Sequence, residues 1–188
     1  MNYLRVTLFL LVIGLSLPGR AQEISQYDRF QLQEGELYWQ HNYEYKGSAD
    51  SLRQAVEKML KSKDFTFSII RGNAGFSGKI NHYKVNPKRY GRTYTNTPKM
   101  YWDGEWAGKF MIEVGVDQYQ VTIYEIQFKS ETQAVGHHQP AKVRSGNYIN
   151  VVTTNKKSFL KSEFTNLSLI SLSFKDNFDL TDSVENSK

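Results

Sequence analysis

The sequence of 188 residues contains no cysteine. A chain without thiols has no disulfide framework, no cysteine nucleophile, no thiolate metal ligand and no cysteine to carry a lipid anchor. Its stability must therefore come from a packed core. Aromatic residues make up 14% of the chain, a high share that is typical of sheet-rich proteins, so we expect strands in that core.

Long hydrophobic runs are also missing. The longest, Val6–Leu17, follows Arg5 and precedes the small-residue segment Pro18–Ala21. A membrane-spanning helix needs about 20 apolar residues, so this run is too short to cross a bilayer and is typical of a secretory signal peptide. We predict cleavage after Ala21, a mature chain that starts at Gln22, and an exported product, periplasmic or secreted, with no transmembrane segment after cleavage.

The chain carries only a small excess of charge of one sign. The formal net charge is +5, and the loss of Arg5 and Arg20 with the signal peptide leaves +3. Nucleic-acid-binding domains are more strongly basic, with their lysines and arginines gathered on one face. Nucleic acid is therefore not an expected partner.

The mature chain of about 167 residues is long enough for one stable domain and short for two. We divide the sequence into a signal peptide (1–21), a lead-in (22–34), a single α+β domain (35–174) and a polar mobile tail (175–188).

The start of the domain shows two hydrophobic periods in succession. Apolar and aromatic residues alternate over Leu37–Tyr45, the period of two that predicts a strand with one buried face. After Gly47, apolar residues follow helical spacing, with Ser48 or Asp50 as the N-cap. The helix residues expected to be buried against the sheet are Leu52, Val56, Met59 and Leu60.

Two hairpins and a terminal helix complete the pattern. Turns at Gly72–Gly75 and Asp117–Gln118 each join alternating segments. The apolar positions change face after Ile123, which indicates either a bulge, which we favour, or a strand buried on both sides. Residues 130–156 are polar and predict a long connection. From Ser158 onward the spacing favours a helix, although its β-rich composition leaves a strand as the alternative.

The predicted fold is thus α+β, with an antiparallel curved sheet of about five strands and two helices on one face. The order resembles that of exported Bacteroidetes-type domains of unknown function with a fold like the TATA-box-binding protein (TBP-like, β-α-β4-α). The resemblance rests on the strand Leu37–Gln40, the helix Asp50–Ser62 and the hairpins Gly72–Gly78 and Gly108–Lys129. It implies a sheet face partly open to a partner. It implies no catalytic residue and no DNA binding, because function resides in sites rather than in folds.

Catalytic motifs are missing from the sequence. There is no Gly-x-Ser-x-Gly, and Gly72, Gly75 and Gly78 precede a strand rather than a helix, so they do not form a phosphate-binding loop. Four carboxylates could pair as in a glycoside hydrolase, but their spacing favours no pair. These are Asp103, Glu105, Glu113 and Glu125. We predict no catalytic residue and no cofactor.

The histidines do not indicate a metal site. His41 lies on the aromatic face of the first strand, where we expect a boundary residue rather than a base. His137 and His138 are adjacent and would point to opposite faces of a strand, whereas a flexible loop would let both bind one ion. Glu131 is the single carboxylate near them. We therefore predict no metal.

One segment concentrates rings and cations. Residues 88–102 contain four cations and no acid, with aromatic residues between them. Exposed rings and guanidinium groups stack on sugars or bases and hold anions. In the alternative interpretation, the rings pack the loop onto the domain while the cations stay solvated. The predicted ligand-binding residues of this loop are Arg89, Tyr90, Arg92, Tyr94, Tyr101, Trp102 and Trp106.

Two classes of function remain. The first is a non-enzymatic envelope module that binds a protein, peptide or glycan through the open sheet face or the aromatic loop. The second is a hydrolase whose site is assembled from residues far apart in sequence. A bound ligand, or a concave pocket with two perturbed carboxylates, would separate them.

Overall fold

A computed structural model of the protein describes residues 23–180, apart from 64, 71, 73, 74 and 133–141. The strands are β1 (Gln26–Tyr27), β2 (Phe30–Gln33), β3 (Glu36–Glu44), β4 (Thr66–Ile69), β5 (Gly75–Tyr83), β6 (Glu105–Val114), β7 (Gln118–Thr132), β8 (Lys142–Asn147), β9 (Thr153–Thr154) and β10 (Ser158–Phe159). The α-helices are α1 (Ala49–Ser62), α2 (Met100–Asp103), α3 (Ile149–Val152) and α4 (Phe164–Phe178). Within the described ranges, no helix is long and apolar enough to span a bilayer.

The main sheet is antiparallel, in the order β1-β2-β3-β7-β6-β5-β4, and β8 also pairs with β7. β3 pairs with residues 118–123 of β7, and β8 pairs with residues 127–132 of the same strand. Two strands therefore share one edge of β7, one on each side of an irregularity in that strand. The predicted α+β class with an antiparallel sheet is confirmed.

The strand count is corrected from about five to eight in the part of the main sheet that the structure describes. β1 and β2 arise in the predicted lead-in, and β8 arises in the predicted connection. A two-residue turn joins β2 to β3, with Glu34 at φ 51° and Gly35 at φ 79°. Such turns require positive φ, which glycine adopts at little cost. The Glu34–Gly35 pair is therefore the sequence feature that indicates this hairpin. β8 is mostly polar and shows no apolar alternation that would indicate a strand.

The predicted amphipathic helix is confirmed in α1. Ser48 caps its N-terminus, because the Ser48 side chain accepts a hydrogen bond from the Ser51 backbone N–H at 3.2 Å. The four residues expected in the core are at most 1% exposed. They are Leu52, Val56, Met59 and Leu60.

The predicted terminal helix is α4. Tyrosines of the sheet donate hydrogen bonds to carbonyl oxygens near its C-terminal end: Tyr43 to Lys175 at 2.8 Å and Tyr119 to Phe178 at 2.6 Å. The last four carbonyls of a helix lack intrahelical partners, so these hydroxyls complete the helix end. Burial raises the pKa of both tyrosines well above the usual value. Because α4 extends to Phe178, it enters the segment predicted to be a polar tail; residues 181–188 lie outside the described part.

Two bulges bend the sheet beside Gly108. The predicted bulge in β7 is confirmed: pairing with β6 shifts between Ala107 and Lys109, and Glu125 opposite them has φ 52°. A second irregularity lies in β5, where pairing shifts between Ile80 and Tyr83 and His82 has φ 53°. Bulges increase local twist and bending, so β5, β6 and β7 bend at the same place in the sheet.

Candidate functional site

One face of the sheet carries no helix. The buried residues of α1 and α4 form a single core with the apolar residues of the strands, so both helices cover the same face. Successive side chains alternate between faces, which places the intervening polar residues on the other side. We call that side the helix-free face.

Amide side chains cross the helix-free face in a hydrogen-bonded row. Gln31 donates to Gln40 at 3.3 Å, Gln40 donates to Gln120 at 3.0 Å, and Gln120 donates to Asn42 at 2.7 Å. The bonds link β2, β3 and β7 and hold the side chains in place. This row, called here the amide ladder, presents neutral donors and acceptors.

A hollow of about 460 Å³ opens where the two bulges bend the sheet. Its polar lining comes from paired positions on three neighbouring strands, which alternation places on the helix-free face. These positions are Glu105 beside Lys129 and Ser145, and Ala107 beside Gln127 and Asn147. Asn81 and His82 of β5 add a fourth strand. The hollow thus gathers residues from four separate segments.

A single carboxylate marks one side of the hollow. His82 Nδ1 lies 2.9 Å from Glu105 Oε2, and both side chains are exposed. The hydrogen bond from His82, reinforced by the nearby charge of Lys84 and Lys129, lowers the pKa of Glu105 below its usual value. Glu105 is therefore ionised at neutral pH, and Lys129 in the same lining balances its charge.

Trp106 and Phe128 also line the hollow. Trp106 is 1% exposed, stacks on Tyr101 with 5.5 Å between ring centroids and meets Tyr148 edge-on at 4.9 Å. Its Nε1–H is buried and has no hydrogen-bond partner among the described residues. Buried donors without partners are uncommon in folded proteins.

The structure corrects part of the predicted aromatic loop. Tyr101 and Trp106 lie in the core, each 1% exposed, so neither offers a free ring face. The one-turn helix α2 carries Tyr101 inward, where its hydroxyl is 3.1 Å from that of Tyr148. Sequence shows the rings but not this inward turn.

The other predicted residues tie the loop to the rest of the domain or to each other. Arg89 pairs with Asp176 at 3.3 Å, Tyr90 donates to the same carboxylate at 2.9 Å, and Arg92 donates to the Thr165 carbonyl at 2.7 Å. The partners belong to α4. Tyr94, 66% exposed, stacks on Trp102 with centroids 4.0 Å apart. Of the seven predicted residues, Trp106 is the one that lines the hollow.

Several lining residues were not predicted as ligand-binding. The sequence leaves Glu105 as one of four carboxylates with no favoured pair, and it gives no reason to single out His82, Gln127 or Asn147. One signal was present: Ile80 and Tyr83 are apolar at a spacing of three within a strand, and a break in alternation indicates a bulge.

His41 takes the boundary position predicted for it. Arg29 Nε donates to His41 Nδ1 at 3.1 Å, and the imidazole meets Tyr43 edge-on at 4.5 Å. Burial and the neighbouring Arg29 lower its pKa, so the neutral ring is favoured. His137 and His138 lie outside the described residues. Among the residues that are described, no group of three His, Asp or Glu could hold a metal ion.

Comparisons with known proteins give matches among solved structures. No protein-family model matches the chain, and no curated protein matches it. Similar solved structures include a TBP-like protein from Parabacteroides distasonis (13% identity, TM-score 0.47, covering 86% of this chain and 100% of that one). Another is a DUF4468 family protein from Bacteroides ovatus (10% identity, TM-score 0.42, covering 82% and 86%). The neighbours are thus of the kind the sequence resemblance named, Bacteroidetes TBP-like proteins and domains of unknown function, and they add no residue to the site.

Proposed function

We propose that this protein is a non-enzymatic, exported binding module of the bacterial envelope whose ligand is a neutral glycan bound on the helix-free face. The observation that carries the proposal is the hollow of about 460 Å³ with its converging amide, hydroxyl and carboxylate groups. This volume falls within the range of about 300–1,000 Å³ that is usual for ligand pockets.

The chemistry of the lining suits hydroxyl groups. The amides of Asn81, Gln127 and Asn147 both donate and accept hydrogen bonds, as sugar hydroxyls do. The charges of Glu105 and Lys129 balance, so the hollow does not select strongly for a charged ligand. The amide ladder offers further neutral hydrogen-bonding groups on the same face of the sheet, on the other side of the β7 bulge.

We expect Gln127→Ala to weaken glycan binding about tenfold, because a lost hydrogen bond to a ligand costs roughly 1 kcal/mol or somewhat more. The measurement is titration of the ¹⁵N-labelled protein with neutral cello-, xylo-, manno- and chito-oligosaccharides, followed on the side-chain amide resonances of the hollow. Raising the salt concentration should hardly change the affinity, since the ligand is uncharged.

Gln118→Ala is the matched control for this experiment. Gln118 lies on β7, is exposed and does not line the hollow, so its loss should leave affinity unchanged. If no oligosaccharide of the panel moves the amides of the hollow, the glycan proposal is wrong. If the oligosaccharides instead shift the amide resonances of Tyr94 and Trp102, the aromatic loop is the binding site.

Export is part of the proposal and rests on the short hydrophobic run after Arg5. We expect the intact mass of the protein recovered from the periplasm or medium to correspond to a chain that starts at Gln22. Recovery of a soluble form that retains Met1–Ala21 would contradict this.

A hydrolase is the second candidate, because His82, its partner Glu105 and a serine, Ser145, line the same hollow. A base oriented by a carboxylate is one half of a nucleophilic triad. Within the described part of the chain, however, Ser145 makes no hydrogen bond to His82, which favours binding over catalysis. Product release from any bound oligosaccharide, abolished by both Ser145→Ala and Glu105→Gln, would establish the hydrolase instead.

A further inference from the structure

A second depression lies beside the C-terminal half of α4, on the side of the sheet that the helices cover. We call it the crevice; its volume is about 190 Å³ and it shares no lining residue with the hollow. Its walls come from the end of α1, the end of β5, the turn Pro87–Tyr90 and α4. The residues that carry the argument are Lys63, Lys84, Arg89, Asp176 and Asn177.

The crevice has an excess of positive charge. Lys63, Lys84 and Arg89 line it, against the single carboxylate of Asp176. The last turn of α4 adds the negative end of a helix dipole, equivalent to about −0.5 charge. The lining therefore keeps a net positive charge, although Arg89 is paired with Asp176 and Lys63 also has an interaction of its own.

The carboxylate of Asp176 is held by residues of the turn Pro87–Tyr90, whereas the side-chain donors of Lys84 and Asn177 make no hydrogen bond in the described part of the chain. Asp176 pairs with Arg89 at 3.3 Å and accepts the Tyr90 hydroxyl at 2.9 Å, so its negative charge is already engaged. Lys84 makes no hydrogen bond or ion pair with a described residue, although its charge also acts on Glu105 of the hollow. Asn177 Nδ2 is buried and likewise has no partner in the described part of the chain. A buried amide donor without an acceptor indicates that something else supplies one.

We propose that the crevice binds a small oxyanion, a phosphate group, with Lys84 and Asn177 as its direct donors and with Lys63 and Arg89 supplying charge. A phosphate group offers several acceptor oxygens around one centre, which matches donors arriving from separate segments. A neutral sugar leaves the cationic excess uncompensated. This site therefore differs in place and in ligand chemistry from the one proposed on the helix-free face.

Titration of the ¹⁵N-labelled protein with inorganic phosphate tests the proposal, with sodium chloride used to hold ionic strength constant. We expect the Asn177 side-chain amide to shift in a saturable manner, and acetate, with a single charge, to shift it less at the same concentration. An Asn177 amide that does not respond to phosphate, or responds equally to acetate and chloride, overturns the site.

Lys84→Ala should weaken phosphate binding about tenfold, the loss expected for one charge-assisted hydrogen bond. The matched control is Lys79→Ala, which removes the same charge from an exposed lysine of β5 that lies outside the crevice. Asn177→Asp, which puts a carboxylate in place of the donor, should abolish binding while melting temperature confirms that the variant is folded. Equal affinities for Lys84→Ala and Lys79→Ala would mean that phosphate responds to net charge alone, and the proposal is then wrong.

Discussion

Replacing Val56 by aspartate is expected to lower the free energy of unfolding by about 3 kcal/mol or more. Val56 is fully buried on the inner side of α1 and belongs to the single core formed with the sheet. A carboxylate placed there loses its hydration among the apolar side chains of the core. Urea denaturation with a constant slope measures the loss as a shift of the midpoint.

Gln54→Asp is the control for this variant. Gln54 is exposed on the same helix, so it tests whether aspartate is tolerated in α1 when no burial is involved. We expect a change of less than about 0.5 kcal/mol. A Val56→Asp variant that melts at the wild-type temperature would show that the inner face of the helix has been assigned wrongly.

Replacing Trp39 by alanine should destabilise the protein by about 3–5 kcal/mol. Trp39 is fully buried in β3, meets Phe174 of α4 edge-on with 5.6 Å between centroids, and donates its indole N–H to the Ser171 hydroxyl at 3.1 Å. The substitution therefore removes packing between the sheet and the terminal helix and leaves a cavity. Thermal and urea denaturation, both monitored by far-ultraviolet circular dichroism, give the loss.

Two further variants separate the contributions of Trp39. Trp39→Phe keeps a ring but loses the hydrogen bond to Ser171, so part of the penalty should remain, with about 1 kcal/mol due to that bond. Tyr38→Ala changes the neighbouring residue on the helix-free face, which contacts Tyr124 with centroids 6.3 Å apart. It should cost about 1 kcal/mol or less, as for other cross-strand pairs. If Trp39→Ala costs no more than Tyr38→Ala, α4 is not held to the sheet through Trp39.

Local periodicity predicted the parts of the fold that depend on neighbours in sequence. The inner face of α1, the bulge after Ile123 and the helical state of the terminal segment all followed from spacing, because a buried face selects residues at the period of its own element. β8 could not be predicted in this way, because a polar strand at the edge of a sheet shows no apolar alternation.

The candidate site was much less predictable. Glu105 and Trp106 stand in the loop and strand that the sequence singled out, but His82, Gln127 and Ser145 join them through pairings between distant strands. A strand's own sequence shows which of its faces is apolar and says nothing of which strand will lie beside it. The loop itself was predicted as a ring-rich surface, whereas contacts such as that of Arg89 with Asp176 exist only once α4 has docked.

Spacing along the chain was enough to predict the α+β class and the buried positions of α1, and it favoured the terminal helix and the bulge in β7 over their alternatives. Tertiary contacts set the order of the strands, the sharing of one β7 edge by β3 and β8, and the place of the hollow. The physical reason is the range of the interactions. Helix caps, turns and amphipathic periods act between residues a few positions apart, whereas the hollow and the crevice are surfaces left between segments that the core brings together from across the whole chain.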